Sequence, residues 1–130
     1  MRRPSEETRT TGELLIQEQK PEGFKRQENT EMFINIVFPE LTWKCPVNAY
    51  PDFAKITIRY IPNERILELR SLKLWLNSFR DKYIGHEKIG SEIFETLWET
   101  ISPMWMKIIL DINPRGNMKD YIIIERGKKK

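Results

Sequence analysis

One cysteine and one histidine are all that this 130-residue chain offers of the usual soft metal ligands. A structural zinc site typically takes four such side chains, so Cys45 and His86 cannot close one and no metal is expected. A lone cysteine also excludes an intrachain disulfide, which fits a reducing cytoplasm. Long apolar runs are missing too. None approaches the ~20 residues of a membrane-spanning helix, and the opening Met1-Arg-Arg-Pro-Ser-Glu-Glu has no apolar core of a secretory leader. Charge of one sign is scarce: 22 basic against 19 acidic residues leave +3. Lys128, Lys129 and Lys130 read as a solvated tail. That balance does not point to nucleic acid, so neither a membrane nor a nucleic-acid partner is expected.

What is present reads as one small domain. Residues 1–30 are polar, with Pro4, Gly12, Pro21 and Gly23, and only Leu14, Leu15, Ile16 and Phe24 have anything to bury. They are expected to form a flexible arm. From Glu31 to Phe38 apolar residues fill both phases of an alternating pattern, the mark of a strand buried on both faces that Pro39 should end. A proline-shaped loop is expected from Glu40 to Phe53. A second strand follows through Ala54, Ile56, Ile58 and Tyr60. After the Pro62-Asn63 turn and a short extended piece at Ile66–Glu68, Ser71 looks like a helix start. Leu72, Trp75, Leu76, Phe79 and Tyr83 then share one helical face. Gly85 interrupts, and a second helix from near Glu87 carries Ile89, Ile93, Leu97 and Ile101 until Pro103. Met104 to Ile112 alternate as a third strand, Asn113–Asn117 signals a turn, and Lys119–Glu125 makes the fourth. Strand-strand-helix-helix-strand-strand implies an α+β fold with an antiparallel sheet and helices on one face. Such a sheet has two open edges, which favours oligomerisation.

Four places hold residues suited to chemistry. In Cys45-Pro-Val-Asn-Ala-Tyr-Pro-Asp52 a thiol sits between prolines, seven residues before a carboxylate: a nucleophile and a proton donor. Spacing alone keeps the plainer reading ahead, with Cys45 a small buried hydrophobe and Asp52 a turn cap. His86-Glu87 follows a glycine at a helix boundary, where a capping role is commoner; Glu87 could instead accept hydrogen bonds from a purine-like edge. Arg70 and Lys73 lie near a helix N-terminus suited to phosphate, and Arg115 sits in a turn; a solvated basic face is the commoner reading of both.

Taken in order, Cys-Pro-x4-Pro-Asp-Phe-Ala, Tyr-Ile-Pro, Glu-Leu-Arg-Ser-Leu-Lys-Leu-Trp, His-Glu and Asn-Pro-Arg-Gly resemble the 7-cyano-7-deazaguanine reductase family, the nitrile reductases of the queuosine pathway, in its short form. The likeness runs from about Phe38 to Ile124. It implies the tunnelling fold, in which subunits join edge to edge into pentameric rings or decamers with active sites between subunits. By this resemblance Cys45 adds to the nitrile carbon as a thioimide, and Asp52 is the general acid. Leu67, Glu68, Leu69, His86 and Glu87 bind the base, and NADPH is held through the Glu68–Trp75 signature, with Arg70, Ser71 and Lys73, and through Arg115. The product would be 7-aminomethyl-7-deazaguanine. The implied domain runs over 31–126, ahead of a basic tail at 127–130.

Some positions depart from the family's pattern. Arg70 stands where lysine is common, exchanging a point charge for a planar fork. Asn48-Ala49-Tyr50 replaces the more usual Thr-Gly-Gln, and Asn117 stands where glycine is common. Certain archaeal relatives keep the cysteine and aspartate but lack the NADPH signature and form an amidine on tRNA. The near-complete signature favours reduction here. A small basic RNA-binding module is a further alternative, disfavoured by the modest charge.

Overall fold

The computed structural model describes residues 20–129; Leu14, Leu15 and Ile16 of the expected arm, and Lys130, lie outside them. A short β1 (Gly23–Lys25) is followed by β2 (Ile34–Lys44), β3 (Pro51–Ile61), β4 (Arg65–Leu67), α1 (Leu69–Asn77) with a 3₁₀ turn (Ser78–Asp81), α2 (His86–Ile101), β5 (Trp105–Arg115) and β6 (Met118–Gly127). The four long strands form an antiparallel sheet in the order β2-β3-β5-β6. The fold is α+β, as the pattern of elements implies, and the edge strands are β2 and β6.

Period-two alternation decides the buried face. Ala54, Ile56, Ile58 and Tyr60 of β3 and Met106, Ile108, Leu110 and Ile112 of β5 point to one side and are buried. Against them pack Leu72, Trp75 and Leu76 of α1, Phe79 of the 3₁₀ turn, and Ile89, Ile93, Phe94, Leu97 and Ile101 of α2. Tyr83, expected on that helical face, is instead exposed, because the helix tightens at Ser78 and leaves the sheet before reaching it. Across the opposite face the register aligns Val37, Thr57, Ile109 and Ile123. Val37 and Ile123 are exposed there, so β2 is not buried on both faces as its pattern implied.

Two irregularities in the ladder correct the expected boundaries. Pro39 does not end β2: the strand continues to Lys44 across a register shift between Phe38 and Leu41. Proline lacks the N–H a ladder needs, so it is tolerated on an edge strand or at a bulge, and Pro39 has both. The extra residue also changes phase. Before it the even positions Ile36 and Phe38 turn toward the core, and after it the odd positions Leu41 and Trp43 are buried. The loop expected over Glu40–Phe53 therefore shrinks to the stretch between Lys44 and Pro51. A second shift, between Ile112 and Arg115, carries Asn113 and Pro114 inside β5, so the turn is only Gly116-Asn117. Both residues have positive φ, +58° and +68°, as a two-residue hairpin matching strand twist requires.

Helix starts also move. Glu68, not Ser71, caps α1: its carboxylate accepts the backbone N–H groups of Arg70 (2.5 Å) and Ser71 (3.0 Å). Gly85 is the N-cap of α2, so His86 is its first helical residue. The segment before α1 is held by elements absent from the sequence reading. β1 pairs antiparallel with β4, Gly23 opposite Leu67, and the Tyr60 hydroxyl accepts the Leu67 N–H at 3.0 Å. Burial pushes the Tyr60 phenol above its ordinary value, against the opposing pull of that N–H, and keeps it neutral.

Candidate active site

Asp52 is the second residue of β3, in phase with Ala54 and Ile56, which turns its carboxylate inward; only 2% of it is exposed. A carboxylate so placed needs charged or hydrogen-bonding partners, and two are supplied. Arg115 Nη1 donates to Asp52 Oδ1 at 2.6 Å, and His86 Nε2 lies 3.4 Å from Oδ2. Each arrives by a local device. The bulge at Asn113-Pro114 puts Arg115 on the same face of β5 as Ile112. The cap at Gly85 starts α2 beside the β3 entrance, presenting His86 from its first turn. The Asp52 hydrogen bond, then its charge, raises the Arg115 guanidinium above its ordinary value, so the arginine stays cationic.

The Cys45 loop leads directly into this carboxylate. Cys45 N–H donates to the Tyr50 carbonyl and Ala49 N–H to the Cys45 carbonyl, each at 2.9 Å. Asn48 Oδ1 accepts the Tyr50 N–H at 3.0 Å. The thiol is half-buried and free. The Arg115 guanidinium lies over the Tyr50 ring, 5.9 Å from its centroid, tying the end of the loop to the same cation that holds Asp52. Trp43, the last fully buried residue of β2, meets the His86 ring edge-on at 5.6 Å.

Sequence reasoning passed over one member of the cluster. Asp120, near the start of β6, places Oδ2 3.0 Å from His86 Nδ1. Its signal was its phase: Asp120 alternates with Ile122 and Ile124, which pack on the core.

Not every expected site residue joins this group. Glu87 is exposed on the first turn of α2 and lines a shallow depression of about 470 Å³ with Gly85, His86, Lys88 and Ser91. Leu67, Glu68 and Leu69 lie at the far end of β3, beside Tyr60. Tyr60 lies eight residue steps along the strand from Asp52, roughly 26 Å at the usual rise. Leu67 is buried, Leu69 is 61% exposed, and the Glu68 carboxylate is engaged in capping α1. Ser71 is buried as well. Its hydroxyl accepts the Glu22 N–H at 2.9 Å and donates to the Glu68 carbonyl at 3.0 Å. Arg70 and Lys73 are exposed on α1, with no ion-pair partner among the described residues. Arg115 stands with Asp52 rather than with these two.

A family model described as QueF-like protein matches residues 51–130. A NADPH-dependent 7-cyano-7-deazaguanine reductase of Aquifex aeolicus is 44% identical over 112 residues, covering 85% of this chain and 87% of the relative. The chain belongs to the 7-cyano-7-deazaguanine reductase family. A member from Prochlorococcus marinus strain NATL2A is 46% identical over 101 residues, 78% of this chain and 72% of that one. Among solved structures, an archaeosine synthase QueF-Like in the apo form superposes with a TM-score of 0.66 over 80% of this chain and 100% of its own. At 17% identity that likeness speaks for the fold alone.

One departure noted in the Cys45 loop has a physical consequence. Ala49 is left-handed, with φ of +64°, a conformation in which a Cβ crowds the following carbonyl and for which glycine carries no such cost. Ala49→Gly should therefore stabilise the protein by about 1 kcal/mol, read as a shift of the urea midpoint at constant slope. An unchanged or lower midpoint would mean that the loop does not hold this conformation in solution.

Proposed function

We propose that this protein reduces the nitrile of 7-cyano-7-deazaguanine to the aminomethyl group of 7-aminomethyl-7-deazaguanine, as a cytoplasmic step of queuosine synthesis. The chain is an NADPH-dependent oxidoreductase. The observation that carries the reading is the buried Asp52 carboxylate, gripped by Arg115 and His86 and joined to the only thiol by one short loop.

The chemistry follows from what these groups can do. The Cys45 sulfur adds to the electrophilic nitrile carbon while the nitrogen takes a proton, leaving a thioimide; covalent capture splits a hard reduction into easier steps. Asp52 delivers that proton as negative charge develops on nitrogen, and Arg115 then stabilises the carboxylate left behind. Glu87 offers a carboxylate to the N–H donors of the pyrimidine edge. NADPH, when bound, supplies hydride to carbon. The residues suited to hold its phosphates are Arg70 and Lys73, both exposed cations on α1, whereas the Ser71 hydroxyl is engaged in the fold and Arg115 serves the carboxylate.

The proposed assembly supports the same reading. Leu67, Glu68 and Leu69 stand too far from Cys45 and Asp52 to line one pocket within a single chain, so a neighbour would bring its own copy of one group against the other. The open edges at β2 and β6 allow sheet-to-sheet joining, in the tunnelling-fold ring of five subunits or a stacked pair of rings. Within the ring, residues 31–126 are the reductase domain, 1–30 an arm whose Gly23–Lys25 part is anchored on β4, and 127–130 a basic tail. Solution mass by light scattering should be that of five subunits or a multiple; a fully active monomer would contradict it.

Turnover tests the proton donor. With the nitrile base present, the protein should oxidise NADPH, and Asp52→Asn should fold normally yet lose roughly 10²–10⁴-fold in rate. Near-normal oxidation by Asp52→Asn would return Asp52 to a purely structural role.

A further inference from the structure

We infer that Asp120 is a positioning residue for the reduction: it fixes the tautomer of His86, so that the imidazole reloads Asp52 with protons drawn from solvent. This rests on the function proposed above and goes beyond it in assigning a role to a residue outside the Cys45–Asp52 pair.

Geometry gives the first argument. His86 is the chain's single histidine, and both of its ring nitrogens face carboxylates: Nδ1 lies 3.0 Å from Asp120 Oδ2, and Nε2 3.4 Å from Asp52 Oδ2. A neutral imidazole carries one N–H. An ionised Asp120 can only accept, so it draws that proton to Nδ1 and leaves Nε2 toward Asp52, able to pass on a second proton or receive one. The other charged groups nearby are Arg115, which acts on the opposite oxygen of Asp52, and Glu87 and Lys88, which follow His86 on α2. The row Asp120–His86–Asp52–Arg115 thus runs from a half-exposed carboxylate to a buried one, its side chains 48% and 2% exposed.

Proton accounting gives the second. Converting a nitrile to a primary amine adds two hydrides to carbon and two protons to nitrogen, the hydrides coming from two NADPH. The Cys45 thiol can lend one proton on addition, but it takes one back when the C–S bond breaks, so both net protons come from solvent. Asp52 is only 2% exposed and is bonded to Arg115. His86 is 33% exposed and touches it, which makes it the relay.

Packing gives the third. Gly90 lies one turn after His86 on the same face of α2, and a Cβ built there would stand 2.9 Å from Ile122 Cγ2 of β6. Glycine lets the helix settle on β6 at the place where Asp120, two residues before Ile122 and in phase with it, meets the imidazole.

The test compares Asp120→Ala with Asp120→Asn in the full chain. Capture of the nitrile base by Cys45 without NADPH should stay near the unaltered level in both, since the proton that Asp52 gives to nitrogen on addition is replaced by the one the Cys45 thiol releases. The KM for NADPH should be unchanged. In Asp120→Ala kcat should fall about 10-fold or more, part of the roughly 10²–10⁴-fold that a positioned acid–base group contributes, and the solvent deuterium isotope effect on kcat should rise. Asp120→Asn keeps an acceptor for Nδ1–H and should recover part of the rate. Unaltered kcat in Asp120→Ala, a lower kcat with no rise in isotope effect, or equal loss of capture and turnover would overturn the inference while leaving the reductase reading intact. A parent chain that neither captures the base nor oxidises NADPH would overturn both.

Discussion

A carboxylate held out of water dictates the arrangement of everything near it. Asp52 is buried on the core side of β3, where an unpaired anion would be strongly disfavoured. Arg115 and His86 satisfy it from two different elements, and neither would reach it in a regular sheet with a later helix start. The β5 bulge turns Arg115 inward, and the Gly85 cap exposes His86 at the first turn of α2. Across the sheet the β2 bulge puts Trp43 on the core face, edge-on to His86. Irregularities that disturb the ladder are thus what bring the site together, and both occur at prolines inside strands, Pro39 midway along β2 and Pro114 near the end of β5.

The same clamp ties the proposed catalytic pair, Cys45 and Asp52, to one cation. Arg115 bonds to Asp52 and lies over Tyr50, so one guanidinium couples the carboxylate to the end of the Cys45 loop. The loop closes on itself through the Cys45 and Tyr50 backbone and holds Ala49 in a left-handed conformation. Local strain of this kind is retained where the surroundings over-determine it. The distant Glu68 segment is fixed just as firmly, by the Tyr60 hydroxyl, the β1–β4 pair and its own capping carboxylate. Two rigidly held residue groups at opposite ends of one sheet are what the proposed assembly would bring together.

Much of the fold was legible because hydrophobic periodicity survives in each long element. Strands β3, β5 and β6 and the Ile89–Ile101 stripe of α2 lie where alternation and four-residue spacing put them. Boundaries were less legible where one residue changes phase. Pro39 and Pro114 read as stops, yet each lies within a strand, because an edge position or a bulge removes the need for the missing N–H. Glu68 was not read as a cap, since a long carboxylate folding back on its own helix start has no periodic signature. Strand β1 is three residues in a polar stretch and exists only through its partner β4. In the site, Cys45, Asp52 and His86 were candidates by residue type, but spacing alone left plainer roles ahead, and it was the ordered motifs of the family resemblance that raised them. Asp120 was not among them, because its contact with His86 spans 34 residues and depends on how closely α2 lies against β6.

The proposed reduction requires Cys45, one short loop before Asp52, to act as the nucleophile. Intact-protein mass after incubation with 7-cyano-7-deazaguanine alone, without NADPH, tests this most directly. The parent chain should gain the mass of one base per subunit, and Cys45→Ala none. An adduct that persists in Cys45→Ala, or a parent chain that turns over the nitrile without ever carrying one, would contradict it.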